Sequence, residues 1–261
     1  MMLKSKSAIV TGSTSGIGLG IAHVLASHGA NLVINGFGDA AAIEAERVEI
    51  EKKHGVKCIY SSADMSKPDQ IREMVKLCES SFGSADILVN NAGIQFTART
   101  ESFPDEKWDA IIAINLSSAF HAMKAILPGM QKRGYGRIIN IASVHGLIGS
   151  KEKLPYVAAK HGIVGMTKVV ALENATSDIT CNAICPGWVL TPLVQKQIDD
   201  KAAKEGISVE EASKKLLGEK QPSQRFATPA QMGAAVAFLC SDAGSSITGV
   251  SLPIDGGWTA Q

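Results

Sequence analysis

Seven short runs rich in β-branched residues recur along the chain, each separated from the next by a longer stretch with helical periodicity. The runs fall at 7–11, 31–35, 57–61, 86–90, 137–142, 179–184 and 250–254. The helical patterns fall at 16–28, 40–54, 68–82, 105–132, 155–176 and 229–241. Strand and helix in alternation build βαβ units, whose right-handed crossovers lay helices over both faces of a parallel sheet. The expected fold class is α/β, a doubly wound parallel sheet of about seven strands. No repeat, low-complexity tract or linker breaks the alternation, so residues 1–261 are expected to form one domain. One segment departs from the rhythm. Residues 189–222 carry two short polar helical patterns where a simple unit would turn directly. An insertion after the sixth strand lies at the carboxyl edge of the sheet, where open α/β sheets bind ligands. It is expected to be a small helical lid over a substrate, the alternative being a solvated helical hairpin.

Composition narrows the class. A hydrophobic fraction of 45% with 25 glycines suits a globular chain with a sizeable core. A net charge of +1 creates no broad field for nucleic acid or an anionic membrane. Five cysteines at irregular spacing argue against a disulfide framework and for a reducing compartment. Cys181 and Cys185 flank a strand-like run without further ligands, and the six histidines lack ligand spacing, so no metal site is expected. No apolar run approaches the ~18 residues of a membrane span. The opening MMLKSKSAIV leads straight into a strand, without signal-peptide architecture. A cytoplasmic location is expected.

The stretch TGSTSGIG, residues 11–18, follows the first strand and opens the first helix. Gly12 permits a tight turn, Gly16 lets the backbone approach a phosphate, and Gly18 allows close helix–strand packing. The helix N-terminus then offers free N–H groups and a partial positive charge to a pyrophosphate. Strand before and helix after make this a dinucleotide fingerprint rather than a chance glycine cluster, and the sheet a Rossmann-type one. The second strand ends INGFGD, with Asn35 where an acid commonly meets a ribose hydroxyl. Since no Lys or Arg occurs from Asn31 to Glu46, a 2′-phosphate would find no cation there, and NAD is the expected cofactor. Phe37 is placed to cover the adenosine.

Tyr156 and Lys160, four residues apart at the start of the fifth helical pattern, share one helical face. A free tyrosine has a pKa near 10, too high for a base at neutral pH. A unit charge about 4 Å away is worth on the order of 4 kcal/mol at an effective dielectric near 20, up to ~3 pKa units. Lys160 together with an oxidised nicotinamide could thus bring the phenol near a working pH. Ser143, at the end of the fifth strand, can hydrogen-bond a reacting oxygen.

The glycine spacing G-x-x-x-G-x-G, NNAG at 90–93, Ser143, Tyr156, Lys160, CPGWVLTP and the terminal IDGGW together resemble the short-chain dehydrogenase/reductase family along the whole chain. The resemblance implies that Tyr156 is the acid/base, that Lys160 tunes it, and that Ser143 orients the reacting oxygen. It implies that the carbonyl of Asn115 holds a water beside the lysine, at the exit of a proton path running through Tyr156, a ribose hydroxyl and Lys160. It implies cofactor contacts at Gly12, Thr14, Ser15, Gly16, Ile17, Gly18, Phe37, Asp64, Met65, Asn91, Ala92, Gly93, Tyr156, Lys160, Pro186, Gly187, Val189 and Thr191. Asp64 resembles the residue that meets the adenine edge. A homotetramer is implied as well.

Specificity must come from the surroundings. Period-2 alternation puts His145 on the same side as Ser143 if the extended chain continues. Gln95 lies on the loop after the fourth strand, Lys153 precedes the helix that Pro155 opens, and Gln197 starts the insertion. Two amides, an imidazole and an ammonium converge in a donor-rich cage suited to a carboxylate close to the reacting carbon. A small 3-hydroxy acid fits. Trp188 and Trp258 either close the apolar side around a methyl group or serve as plain core. The rivals are a 3-oxoacyl thioester reductase, which would need NADPH and an open groove, and a dinucleotide sensor without turnover.

Overall fold

The computed structural model describes residues 2–260 and contains one seven-stranded, all-parallel sheet in the order β3-β2-β1-β4-β5-β6-β7. The strands are β1 Ser7–Val10, β2 Asn31–Asn35, β3 Cys58–Ser61, β4 Ile87–Asn90, β5 Tyr135–Ile141, β6 Asp178–Pro186 and β7 Ser251–Ile254. The helices are α1 Gly16–Ser27, α2 Ala40–His54, α3 Pro68–Phe82, α4 Asp105–Ile112, α5 Ser118–Arg133, α6 Leu154–Glu173, α7 Pro192–Glu205, α8 Val209–Gly218 and α9 Pro229–Cys240. Every expected strand is present, with bounds shifted by a few residues, most at the start of β5 and the end of β6.

The pleat sorts each strand's side chains onto two cores. Ile9, Val33, Leu88 and Ile138 face a layer built from α3, α5 and α6. Their neighbours Val10, Ile34, Val89 and Ile139 face the other layer, dominated by α1 and α9. Both faces being covered, the strands read as continuous apolar runs rather than as alternating ones. The order reverses between β1 and β4, which pair at Ile9 and Leu88. At their carboxyl ends the chain leaves toward opposite sides and a crevice opens.

Two departures from the sequence expectation matter for the site. The helical pattern 105–132 is not one regular helix: a π-helical turn, Ala113–Ser117, separates α4 from α5. Such turns place an extra residue in the coil and free a carbonyl locally. The second concerns hydropathy. The continuous helical stretch Asp105–Arg133 is long and apolar enough by composition to cross a membrane, with an 18-residue window of mean hydropathy 1.5, where no such run was expected. Counting unbroken apolar residues missed it, because Asn115, Ser117 and Ser118 interrupt the run without lowering the average enough. Here its Ala122, Met123, Ile126 and Met130 pack into the sheet core.

The insertion forms the helical pair α7 and α8 with a small core of its own, Val194, Ile198, Ala202 and Ala212, backed by Trp188 and Phe226. Its end is followed by α9, which packs tightly on α1: a Cβ on Gly233 would sit 2.6 Å from Val24 Cγ2, and one on Gly20 2.8 Å from the carbonyl carbon of Pro229. Gly233→Leu should therefore force the two helices apart and lower stability by about 1–3 kcal/mol in denaturant titration, an overpacking cost.

Candidate active site

Loops from the carboxyl ends of β1, β2, β4, β5 and β6 enclose a cleft of about 1100 Å³. Its floor is the glycine turn. Gly12 and Gly16 have φ of 60° and 58°, and a Cβ on Gly12 would lie 2.9 Å from Ala92 Cα. Ser15, at the N-cap of α1, makes no side-chain capping bond, and the first turn holds no acid. The first-turn N–H groups therefore face the cleft without a side-chain partner, as a phosphate cradle requires. Among the cofactor residues expected from sequence, all line this cleft except Val189. Val189 is buried in the sheet core and bridges Ala227.

Asn35 has a different role from the acid it replaces. It is fully buried; its Oδ1 accepts the Gly12 N–H (3.3 Å), and its Nδ2 donates to the carbonyls of Ser61 (3.0 Å) and Ala63 (2.9 Å). It fastens the glycine turn to β3 and leaves no carboxylate at the strand end. Thr11 was not singled out in the sequence, yet its Oγ1 accepts the N–H groups of Asn91 (2.9 Å) and Ala92 (3.0 Å). Asn91 Nδ2 returns the bond to the carbonyls of Thr11 (2.8 Å) and Gly12 (2.9 Å). These bonds hold the β1 and β4 loops as one wall. Phe37 is 68% exposed at the mouth, and the Asp64 carboxyl, accepting the Ser66 N–H, is held below the usual range by that bond.

The reacting end lies between β5 and α6. Lys160 is 4% exposed, and its Nζ donates to the Ile141 carbonyl at 2.7 Å, two residues before Ser143. That bond joins α6 to the end of β5. A Cβ on Gly146 would meet the Lys160 carbonyl at 2.8 Å, so the turn after Ser143 lies directly on α6. Burial pushes the Lys160 ammonium down to about 8. Burial raises the Tyr156 phenol, while Ser143 beside it pulls in the other direction. The sequence argument used a charge about 4 Å from the phenol; the ammonium in fact lies 5.6 Å from the Tyr156 ring centre and is engaged with a carbonyl. Lys160 by itself does not bring the phenol down. Asn115 sits in the π-helical turn, buried, with Oδ1 accepting the Ile94 N–H (2.8 Å) and Nδ2 donating to the Ile94 carbonyl (2.9 Å).

The expected substrate residues fall into two groups. Gln95, Lys153 and Gln197 line the cleft with Ser143 and Tyr156. His145, Trp188 and Trp258 instead form an aromatic wall outside that lining. His145 meets Tyr156 edge-on at 6.2 Å and Trp258 at 5.5 Å, and Trp188 stacks on Trp258 at 6.3 Å. The extended chain does not continue past Ser143: residues Val144–Gly146 form a 3₁₀ turn capped by Ser143 Oγ, which accepts the His145 N–H at 3.1 Å. Alternation therefore did not place His145; the turn did. Its Nδ1 and the Trp188 Nε1 are buried without a partner. Burial first, then the charges of Lys153 and Lys220, push the imidazole down to about 4, so it is neutral at ordinary pH. Among the described residues no cluster of metal ligands occurs, and all five cysteines are free and buried.

A family model described as enoyl-(acyl carrier protein) reductase matches residues 12–259. A D-beta-hydroxybutyrate dehydrogenase of Cupriavidus necator is 58% identical over 260 residues, with the whole of both chains covered. Another of the same description, from Rhizobium meliloti, is 51% identical over 257 residues, covering 98% of this chain and 100% of that one. Among solved structures, L-sorbose reductase from Gluconobacter frateurii, complexed with NADPH and L-sorbose, covers all of both chains at 30% identity with a TM-score of 0.95.

The buried lysine has a measurable signature. Its ammonium ionises near 8 when folded and near the ordinary 10.5 when unfolded, so between those pH values the unfolded chain binds more protons and stability rises with pH. At ~1.36 kcal/mol per tenfold step the difference is about 3 kcal/mol. Measured against Lys160→Met without dinucleotide, the relative stability of the unaltered chain should be flat below pH 8 and climb by up to that amount toward 10.5.

Proposed function

The chain belongs to the short-chain dehydrogenase/reductase family, and from that premise we propose that it oxidises (R)-3-hydroxybutyrate to acetoacetate with NAD⁺ and catalyses the reverse reduction. The observation that carries the substrate is the cation Lys153, which lines the same cleft as the amides of Gln95 and Gln197 and as Ser143 and Tyr156. A carboxylate held by these donors would keep the neighbouring carbinol beside the phenol. The Trp188–Trp258 wall bounds the apolar side.

Bound nicotinamide dinucleotide supplies the hydride acceptor. Gly12, Ser15, Gly16 and Ile17 would hold its pyrophosphate at the start of α1, with Phe37 and Asp64 at its adenosine end. No lysine or arginine lines that part of the cleft, which supports NAD over NADP. In oxidation Tyr156 Oη takes the proton from the substrate hydroxyl while Ser143 Oγ donates to the same oxygen, steadying the charge that builds there. The Lys160 ammonium, kept in place by its tie to Ile141, acts together with the positive charge of the bound oxidised dinucleotide and with Ser143 to stabilise the phenolate. Reduction reverses each transfer.

The thioester-reductase alternative is disfavoured by the cation Lys153 in the cleft and by the lack of a Lys or Arg at the adenosine end, where that rival's NADPH would need one. A sensor without turnover would have no use for the complete set Asn115, Ser143, Tyr156 and Lys160. The reading includes one domain with residues 189–222 as the lid; Leu193 on α7 is 67% exposed and lines the cleft, as a closing element would. It includes a homotetramer, for which the exposed Phe120, Val169 and Leu172 on α5 and α6 offer apolar surface to further copies. A cytoplasmic location agrees with five reduced thiols.

Lys153→Ala should cut kcat/KM for acetoacetate by roughly ten- to a hundredfold, the worth of a charge-assisted hydrogen bond of ~1.5–3 kcal/mol, and leave a neutral methyl ketone of similar size far less affected. Equal losses on both substrates would dismiss the acid cage. Tyr156→Phe should abolish turnover while NAD⁺ binding persists in a fluorescence titration. A steady-state screen of short hydroxy acids of both hands with NAD⁺ and NADP⁺ tests the assignment as a whole: the four-carbon R acid with NAD⁺ is expected to rank first.

A further inference from the structure

We propose that Lys220, at the far end of the inserted segment, is a second cation of the substrate site that selects for the acid end of the substrate. The proposal rests on the hydroxy-acid reading above and adds a residue that neither the motif pattern nor the cleft lining points to.

Lys220 looks like an ordinary solvated lysine just past the end of α8. Its backbone is not ordinary. The N–H groups of Lys220 and Gln221 both donate to the Leu217 carbonyl, at 3.1 and 2.7 Å. Gln221 is 2% exposed; its Oε1 accepts the Trp188 N–H at 3.0 Å and its Nε2 donates to the Arg225 carbonyl. One buried amide thus pins the two ends of the insertion together. A Cβ on Gly256 would lie 2.8 Å from Gln221 Cγ, so the same side chain also packs on the C-terminal turn. In that turn the Asp255 carboxylate accepts the N–H groups of Gly257 (3.0 Å) and Thr259 (2.8 Å) and the Thr259 hydroxyl (2.6 Å). Those bonds fix Trp258.

The two halves meet. Lys220 Nζ lies 5.4 Å from the centre of the Trp258 ring, within the range of cation–π attraction. Trp258 also meets His145 edge-on, and His145 meets Tyr156. Lys220 makes no ion pair among the described residues, whereas its neighbour Glu219 is turned away to Lys201 at 3.0 Å. Burial is the main cause that lowers both His145 and Lys153, and the charge of Lys220 acts in the same direction on each. Lys153 lines the cleft, and Lys220 stands behind the His145–Trp258 wall that borders it; no carboxylate lines that end of the cleft, Asp64 being at the opposite, adenosine end. Two like charges held against their mutual repulsion are relieved by an anion between them.

The test uses the full chain with Lys220→Met, which keeps an apolar stem on the indole, and Lys220→Arg, which keeps the charge. At low salt Lys220→Met should raise KM for acetoacetate about fivefold, as expected of a charge acting across several ångströms of partly solvated protein. kcat and the KM of a neutral methyl ketone should stay within twofold. The difference should shrink at high salt, and Lys220→Arg should restore the original KM. The tryptophan emission of the unliganded Met variant should also differ from that of the unaltered chain, because the cation leaves the indole face. If the unaltered chain prefers the acid and Lys220→Met keeps that preference, or if acid and ketone suffer alike, Lys220 has no such role. If the unaltered chain itself shows no preference for the acid, the hydroxy-acid reading falls and this proposal with it.

Discussion

The bond from the Lys160 ammonium to the Ile141 carbonyl is the constraint around which the rest is arranged. It costs the chain a buried charge, and its 2.7 Å contact is where α6 is fastened to the end of β5. Everything that acts on a substrate follows from that attachment. Tyr156 stands one turn earlier on the same helix, Ser143 two residues beyond the carbonyl, and the turn carrying His145 lies against the Lys160 backbone. A helix held only by apolar contacts could slide along the sheet by a fraction of an ångström. A charged hydrogen bond to a strand carbonyl restricts that freedom.

The pair of ionisable groups is poised rather than preset. Burial disfavours the charged form of each, lowering the lysine and raising the phenol. At about 8 the lysine remains largely an ammonium at neutral pH, whereas the raised phenol stays neutral, so it is the phenol whose charge depends on what enters the site. A positively charged nicotinamide and a negatively charged acid both alter the balance. Close by, His145 Nδ1 and Trp188 Nε1 are buried without a hydrogen-bond partner, which costs free energy.

Much of this was legible in the sequence because it depends on periodicity and on local backbone needs. Seven β-branched runs gave the sheet, and the glycines of 12–18 with the strand before them gave the dinucleotide floor. What was not legible depends on geometry that spacing does not encode. His145 was placed by strand alternation, but the chain turns at Ser143 into a 3₁₀ segment. Asn35 was weighed as a missing acid, yet it is a buried clamp whose three partners lie 23 to 28 residues away. The helix around Asn115 contains a π turn that no propensity argument would have introduced. Lys220 sits in a charged, irregular stretch that reads as surface, and only the folded position of Trp258 gives it meaning.

The insertion has a core of its own and a neck closed by Gln221. That small core is distinct from the two cores that cover the sheet. Leu193 and Gln197 bring this separate core to the edge of the cleft, whereas Ser143 follows β5 and Tyr156 and Lys160 stand on α6. On the function proposed above, a change of substrate would call for exchanges in the first group and a change of chemistry for exchanges in the second.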